Sequence, residues 1–95
     1  MPYVFVRHRV ASYAQWKRVV NAAKAWRKTS GEKSFQVYRS SRNPNDLTII
    51  CGWDTPARMK KFVKSAELRR RMLDAGVISK PDIQFFSKAE DLSLK

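Results

Sequence analysis

This 95-residue chain has one cysteine, one histidine, three glycines and eight acidic residues against twenty basic ones. Each scarcity excludes something. A single thiol, Cys51, cannot close an internal disulfide, and its place in an apolar run marks it as a packed, inert group. One Cys and one His at no metal-ligand spacing leave no expectation of a metal. Nothing is low in complexity or internally repeated. The longest apolar stretch, LTIICGW, is far too short for a bilayer, and MPYVFVRHRV lacks an apolar run with a cleavage site. A cytoplasmic protein without membrane attachment is therefore expected. The shortage of acids leaves a formal charge of +12, which attracts polyanions non-specifically without identifying one.

What is present suffices for one modest core: 43% of residues are apolar and 12% aromatic. Residues 1–95 are read as a single domain, with a polar, flexible tail over 89–95. Tyr3 to Val10 alternates as a strand. Ser12 and Gln15 form a capping box for a helix running to about Lys28, with Gly31 as its stop. KSFQVYRS and LTIICGW are strands joined by the turn RNPND. Asp54, ahead of Thr55 and Pro56, caps a further helix. Ser65 caps another stretch, in which Leu68, Met72 and Ala75 point inward before Gly76. Pro81 precedes the last strand, DIQFFSK. The order is βαββαβ with the second helix broken in two. It predicts an α+β, ferredoxin-like domain, a four-stranded antiparallel sheet with helices on one face.

Counting by twos sorts the strands into two faces. Val4, Val6, His8, Val10, Phe35, Val37, Leu47, Ile49, Cys51, Trp53, Ile83 and Phe85 belong under the helices. Tyr3, Phe5, Arg7, Arg9, Gln36, Tyr38, Thr48, Ile50, Gln84 and Phe86 form a face too aromatic to stay bare. Either a second copy of the chain covers Tyr3, Phe5, Tyr38 and Phe86, giving a homodimer, or nucleic-acid bases stack there as in the RNA-recognition fold. That fold's glycine- and aromatic-rich third-strand motif has no match in LTIICGW. The basic residues fall mainly on the helices, which counts against base stacking on the sheet.

VFVRHRVASYAQWK, VYRSSRNPNDLTIICGWD and SAELRRRMLDAGVISKPD resemble the antibiotic-biosynthesis-monooxygenase-like proteins. The resemblance covers Val4 to about Phe86. It is most specific at Arg7-His8 with Tyr13-x-x-Trp16-Lys17, at Trp53-Asp54, and at Ala75-Gly76-Val77 before Lys80-Pro81. It implies a dimeric α+β barrel in which two sheets pack face to face and each subunit keeps a pocket between sheet and helices. Some relatives oxygenate without metal or flavin. Others degrade haem through a helix-borne histidine, and no helix here carries one, so no cofactor is expected.

The candidate site is His8, Trp16, Arg27 and Trp53, all on inward surfaces. His8 is the candidate catalytic base, its ordinary pKa lying nearest neutrality. Arg27 would hold an anionic or enolate oxygen, between the flat walls of Trp16 and Trp53. The function expected is cofactor-independent monooxygenation of a small aromatic or polyketide-like molecule. The alternatives are a non-catalytic dimeric binder of small ligands and an RNA-recognition-like module. On a plainer reading, His8 is a satisfied core histidine, Arg27 reaches out of the helix end, and both indoles are packing.

Overall fold

In the computed structural model, which describes residues 2–94, eight elements follow one another. They are β1 (Pro2–Arg9), α1 (Tyr13–Ala22), α2 (Lys24–Ser30), β2 (Glu32–Arg39), β3 (Asp46–Trp53), α3 (Pro56–Val63), α4 (Ala66–Asp74) and β4 (Asp82–Ser87). The sheet is antiparallel in the order β2-β3-β1-β4. This is the expected α+β arrangement. β1 and β3, the most continuously apolar strands, lie in the middle, where both edges are paired.

Register decides which side chains share a layer. Val4 lies opposite Cys51 and Phe85, Val6 opposite Ile49 and Ile83, and His8 opposite Leu47. The core forms on that side: Val4, Val6, Leu47, Ile49, Cys51 and Trp53 are buried with Trp16, Met59 and Phe62 from the helices. Trp53 and Leu47 have no exposed surface. Phe85 departs from expectation. It belongs to the helix-facing set, yet it lies on the edge strand β4, where Lys60 of α3 reaches over the ring and leaves it 43% exposed. On the opposite face Tyr3 stacks on Phe86 with centroids 5.9 Å apart, and Tyr38 is exposed. Arg7 makes a bidentate pair with Asp46 across that face.

Local details differ from the sequence reading. The first helix breaks at Ala23, whose N–H is shared between the carbonyls of Val19 and Val20. No proline or glycine marks the break, so periodicity alone gives one continuous helix. The next helix is capped by Thr55, whose hydroxyl accepts from Arg58 N–H. Asp54 sits one residue earlier, where its carboxylate accepts from Thr55 N–H and pairs with Arg58. Ser12 and Ser65 cap as expected, but Gln15 does not complete the box, because its side-chain amide donates to the Asp74 carbonyl instead. Residues 88–94 carry no regular structure. Met1 and Lys95, the ends of the expected domain and tail, lie outside the described residues.

Gly31 ties the corner together. It ends α2 at φ +117°, and its carbonyl accepts from Asp54 N–H. A Cβ there would meet Asp54 Oδ1 at 2.5 Å. Gly31→Ala therefore combines left-handed strain with a steric clash. It should lower the unfolding free energy by about 1–3 kcal/mol, measured by urea denaturation. A substitution without cost would show that this corner does not hold α2 against α3.

Candidate functional site

The two layers do not meet everywhere. Between them lies a cavity of about 90 Å³, walled by Val4, Val6 and Ile49 from the sheet and by Val19, Val20 and Ala23 from the first helical pair. All four candidate residues border it. Its surface is overwhelmingly apolar.

His8 enters from β1 because strand alternation turns it to the valine side. It is 4% exposed, and neither ring nitrogen has a hydrogen-bond partner among the described residues. Burial pushes its pKa down to about 4, with the Asp46 carboxylate opposing weakly. The imidazole is thus neutral at pH 7, and one nitrogen lone pair is free to accept a proton or hydrogen bond. It is not the satisfied core histidine of the plainer reading. Trp16, from the middle of α1, meets it edge-on at 6.2 Å. Trp53, at the end of β3, packs on Phe62 at 4.7 Å, and its indole Nε1 is buried without an acceptor.

Arg27 is on the wall, but most of its capacity is used. Nη1 pairs with Glu32 at 2.7 Å and Nη2 donates to the Val20 carbonyl at 3.0 Å. The guanidinium also lies 4.2 Å from the Phe35 centroid. Only Nε lacks a partner. The break at Ala23 explains the geometry, since the Val20 carbonyl beside it receives Arg27 from the following turn.

Glu32 is the residue strand alternation hides. With Phe35 and Val37 inward, period two turns Glu32 outward. A bulge between Glu32 and Ser34 shifts the register and places Glu32 opposite Trp53, buried. Burial raises its pKa, and Arg27 works against that rise. The Cys51 thiol, also against Glu32, is pushed upward chiefly by burial and stays protonated. Trp26, Phe62 and Arg71 also border the cavity. Arg71 had a sequence signal, because it completes the i, i+3, i+4, i+7 series with Leu68, Met72 and Ala75. Among the described residues, no group of three His, Cys, Asp or Glu is arranged to hold a metal ion.

A four-stranded antiparallel sheet with helices over one face is an arrangement shared with solved structures. A protein of Bordetella bronchiseptica, provisionally assigned as an antibiotic biosynthesis monooxygenase, superposes with a TM-score of 0.77 at 18% identity, over 94% of this chain and 97% of its own. This chain has the antibiotic biosynthesis monooxygenase fold. SnoaB, a cofactor-independent oxygenase from Streptomyces nogalater, gives 0.74 at 16% identity, with 96% of each chain covered. A protein of Deinococcus radiodurans with the same provisional assignment gives 0.70 at 16%, over 100% of this chain and 99% of its own. No family model and no curated protein matches the sequence. The shared fold accounts for the sheet order and for the helices lying on one face.

The depressed pKa of His8 fixes a pH dependence. Unfolding frees the imidazole to bind a proton that the folded state refuses. Stability is therefore full above about 6.5 and falls as pH drops toward about 4. The loss should approach about 2–3 kcal/mol at the acid end of that window. Glu32 opposes it there, because its raised pKa lets the folded state hold a proton. Urea midpoints at pH 7.5 and 4.5 should differ accordingly, and His8→Leu should flatten the difference. An undiminished slope in that variant would assign the effect to another group.

Proposed function

We propose that this protein is a homodimeric, cofactor-independent monooxygenase acting on a small aromatic or polyketide-like molecule. The observation that carries the reading is the His8 imidazole, neutral and without a partner on the wall of an apolar chamber. An unpaired polar group under a core is costly, and a bound hydroxyl or acidic C–H group would supply the missing partner. Trp16 and Trp53 are flat surfaces for a ring. His8 then takes the acidic proton, and the electron-rich anion left behind reduces dioxygen. A ring methylene and O2 become a ring carbonyl and water, so the substrate supplies all the electrons. In so apolar a chamber the imidazolium is tolerable only while the substrate anion lies beside it, which couples proton removal to binding. The fold shared with SnoaB supports the reaction class.

The second copy covers the aromatic face. Phe5, at the centre of that face between Ile50 and Gln84, would be buried by it, along with Tyr3, Tyr38 and Phe86. Sedimentation velocity should give a dimer, and Phe5→Arg should shift it to monomer. A wild-type monomer at tens of micromolar, by order of magnitude, would remove this assembly and leave the face open to other partners.

One observation favours a second reading, a non-catalytic binder: with its pKa near 4, His8 is a weak base on the chamber wall. Oxygen uptake with 1,8-dihydroxyanthrone in chelator-treated buffer separates the two. Catalysis predicts consumption above the buffer rate and a fall of roughly 100-fold in His8→Leu. Binding of the anthrone without oxygen uptake would establish the binder.

A further inference from the structure

Among the charged side chains bordering the chamber, one is not neutralised from within. Arg27 and Glu32 form a closed pair, with side chains 12% and 7% exposed. His8 is uncharged at neutral pH. Arg71, from the inward stripe of α4, is different. Its side chain is 31% exposed, so it borders the chamber and reaches solvent as well. The guanidinium lies over Trp26 at 4.5 Å from the ring centroid, and Trp26 packs on Phe62 at 4.6 Å. Arg71 Nε donates to Glu67 at 2.8 Å, but Nη1 and Nη2 make no hydrogen bond among the described residues. Glu67 does not cancel the charge, because Arg70 takes both of its oxygens at 2.8 Å. Two guanidinium groups thus share one carboxylate, and the trio keeps a positive charge.

The surroundings reinforce it. Trp26, Phe62 and Glu67 also border an outer cleft of about 300 Å³ that includes Lys61 and Arg58. Arg58 is paired with Asp54, whereas Lys61 makes no ion pair among the described residues. Twelve of the twenty basic residues, but only Glu67 and Asp74 of the eight acids, lie on the four helices and Lys64. Such a layer draws anions toward the helical side. Arg71 meets them with two paired donors held over an indole, and such a pair of donors suits a carboxylate.

We infer that the chamber's ligand is an aromatic anion, its ring inside against the indoles and its carboxylate or similar group on Arg71 Nη1 and Nη2 beside Trp26. This rests on the reading of the chamber as a ligand site, and it gives Arg71 the anion-holding part that the sequence assigns to Arg27. Arg71 is then a binding residue that selects for charge, distinct from His8.

Isothermal titration with 2-naphthoate and its neutral counterpart 2-naphthamide tests it. The naphthoate should bind roughly 10-fold more tightly at low salt, and the preference should shrink in 0.5 M NaCl. Arg71→Gln and Arg71→Met should bring the two ligands to parity while leaving naphthamide affinity unchanged. Arg69→Gln removes the same charge from an exposed position that has no ion pair among the described residues, and should keep the preference. Equal affinities in the unaltered protein, or an equal loss in Arg69→Gln, would overturn the inference and leave the chamber reading standing. Binding of neither compound would overturn both. If the Arg71 variants unfold, the salt dependence in the unaltered protein still decides.

Discussion

Removing charge from water is costly, and that cost governs every titratable group beneath the helices of this protein. Three meet it in different ways. His8 gives up its proton and stays neutral. Glu32 keeps company with Arg27, each supplying the other's counter-charge below the helical layer. Cys51 holds its proton against the nearby carboxylate. What remains is a chamber whose inner charges are cancelled, with the His8 imidazole, the Trp53 indole N–H and Arg27 Nε left without partners among the described residues.

Backbone irregularities create that balance. The break at Ala23 lets the following turn of helix present Arg27 to the Val20 carbonyl, and the bulge after Glu32 turns its carboxylate to meet the guanidinium. Gly31 lies between the two, in a conformation other residues avoid, and leaves no room between itself and Asp54. The same corner carries Asp54 and Arg58 across to α3, so the ion pair inside and the one outside are held by one short stretch of chain.

The two sheet faces divide the protein's business. One is closed by the helices around Trp53, Trp16 and Phe62, and it leaves the chamber. The other exposes Tyr38 and Phe86 to the surroundings, with Tyr3 stacked on Phe86. Basic charge gathers on the helical side, away from the aromatic rings. A polyanion and a stacking partner would thus approach from opposite directions, which separates the readings that composition alone leaves merged.

Period-two alternation was enough to place His8, Val4, Val6, Leu47 and Ile49 on one face, because a strand has only two sides. Capping chemistry marked Ser12 and Ser65, and helical spacing put Trp16 and Met72 inward, since these depend on neighbours a few residues away. The chain by itself therefore determined the element order, the sheet faces and which side chains could line a chamber. Only tertiary structure decided the partners. The break at Ala23 has no local signature, the bulge reverses Glu32, and the edge position of β4 uncovers Phe85. Whether Arg27 or Arg71 retains an unmatched charge depends on how the carboxylates within about 3 Å are shared: the bulge turns Glu32 to Arg27, whereas Arg70 competes with Arg71 for Glu67.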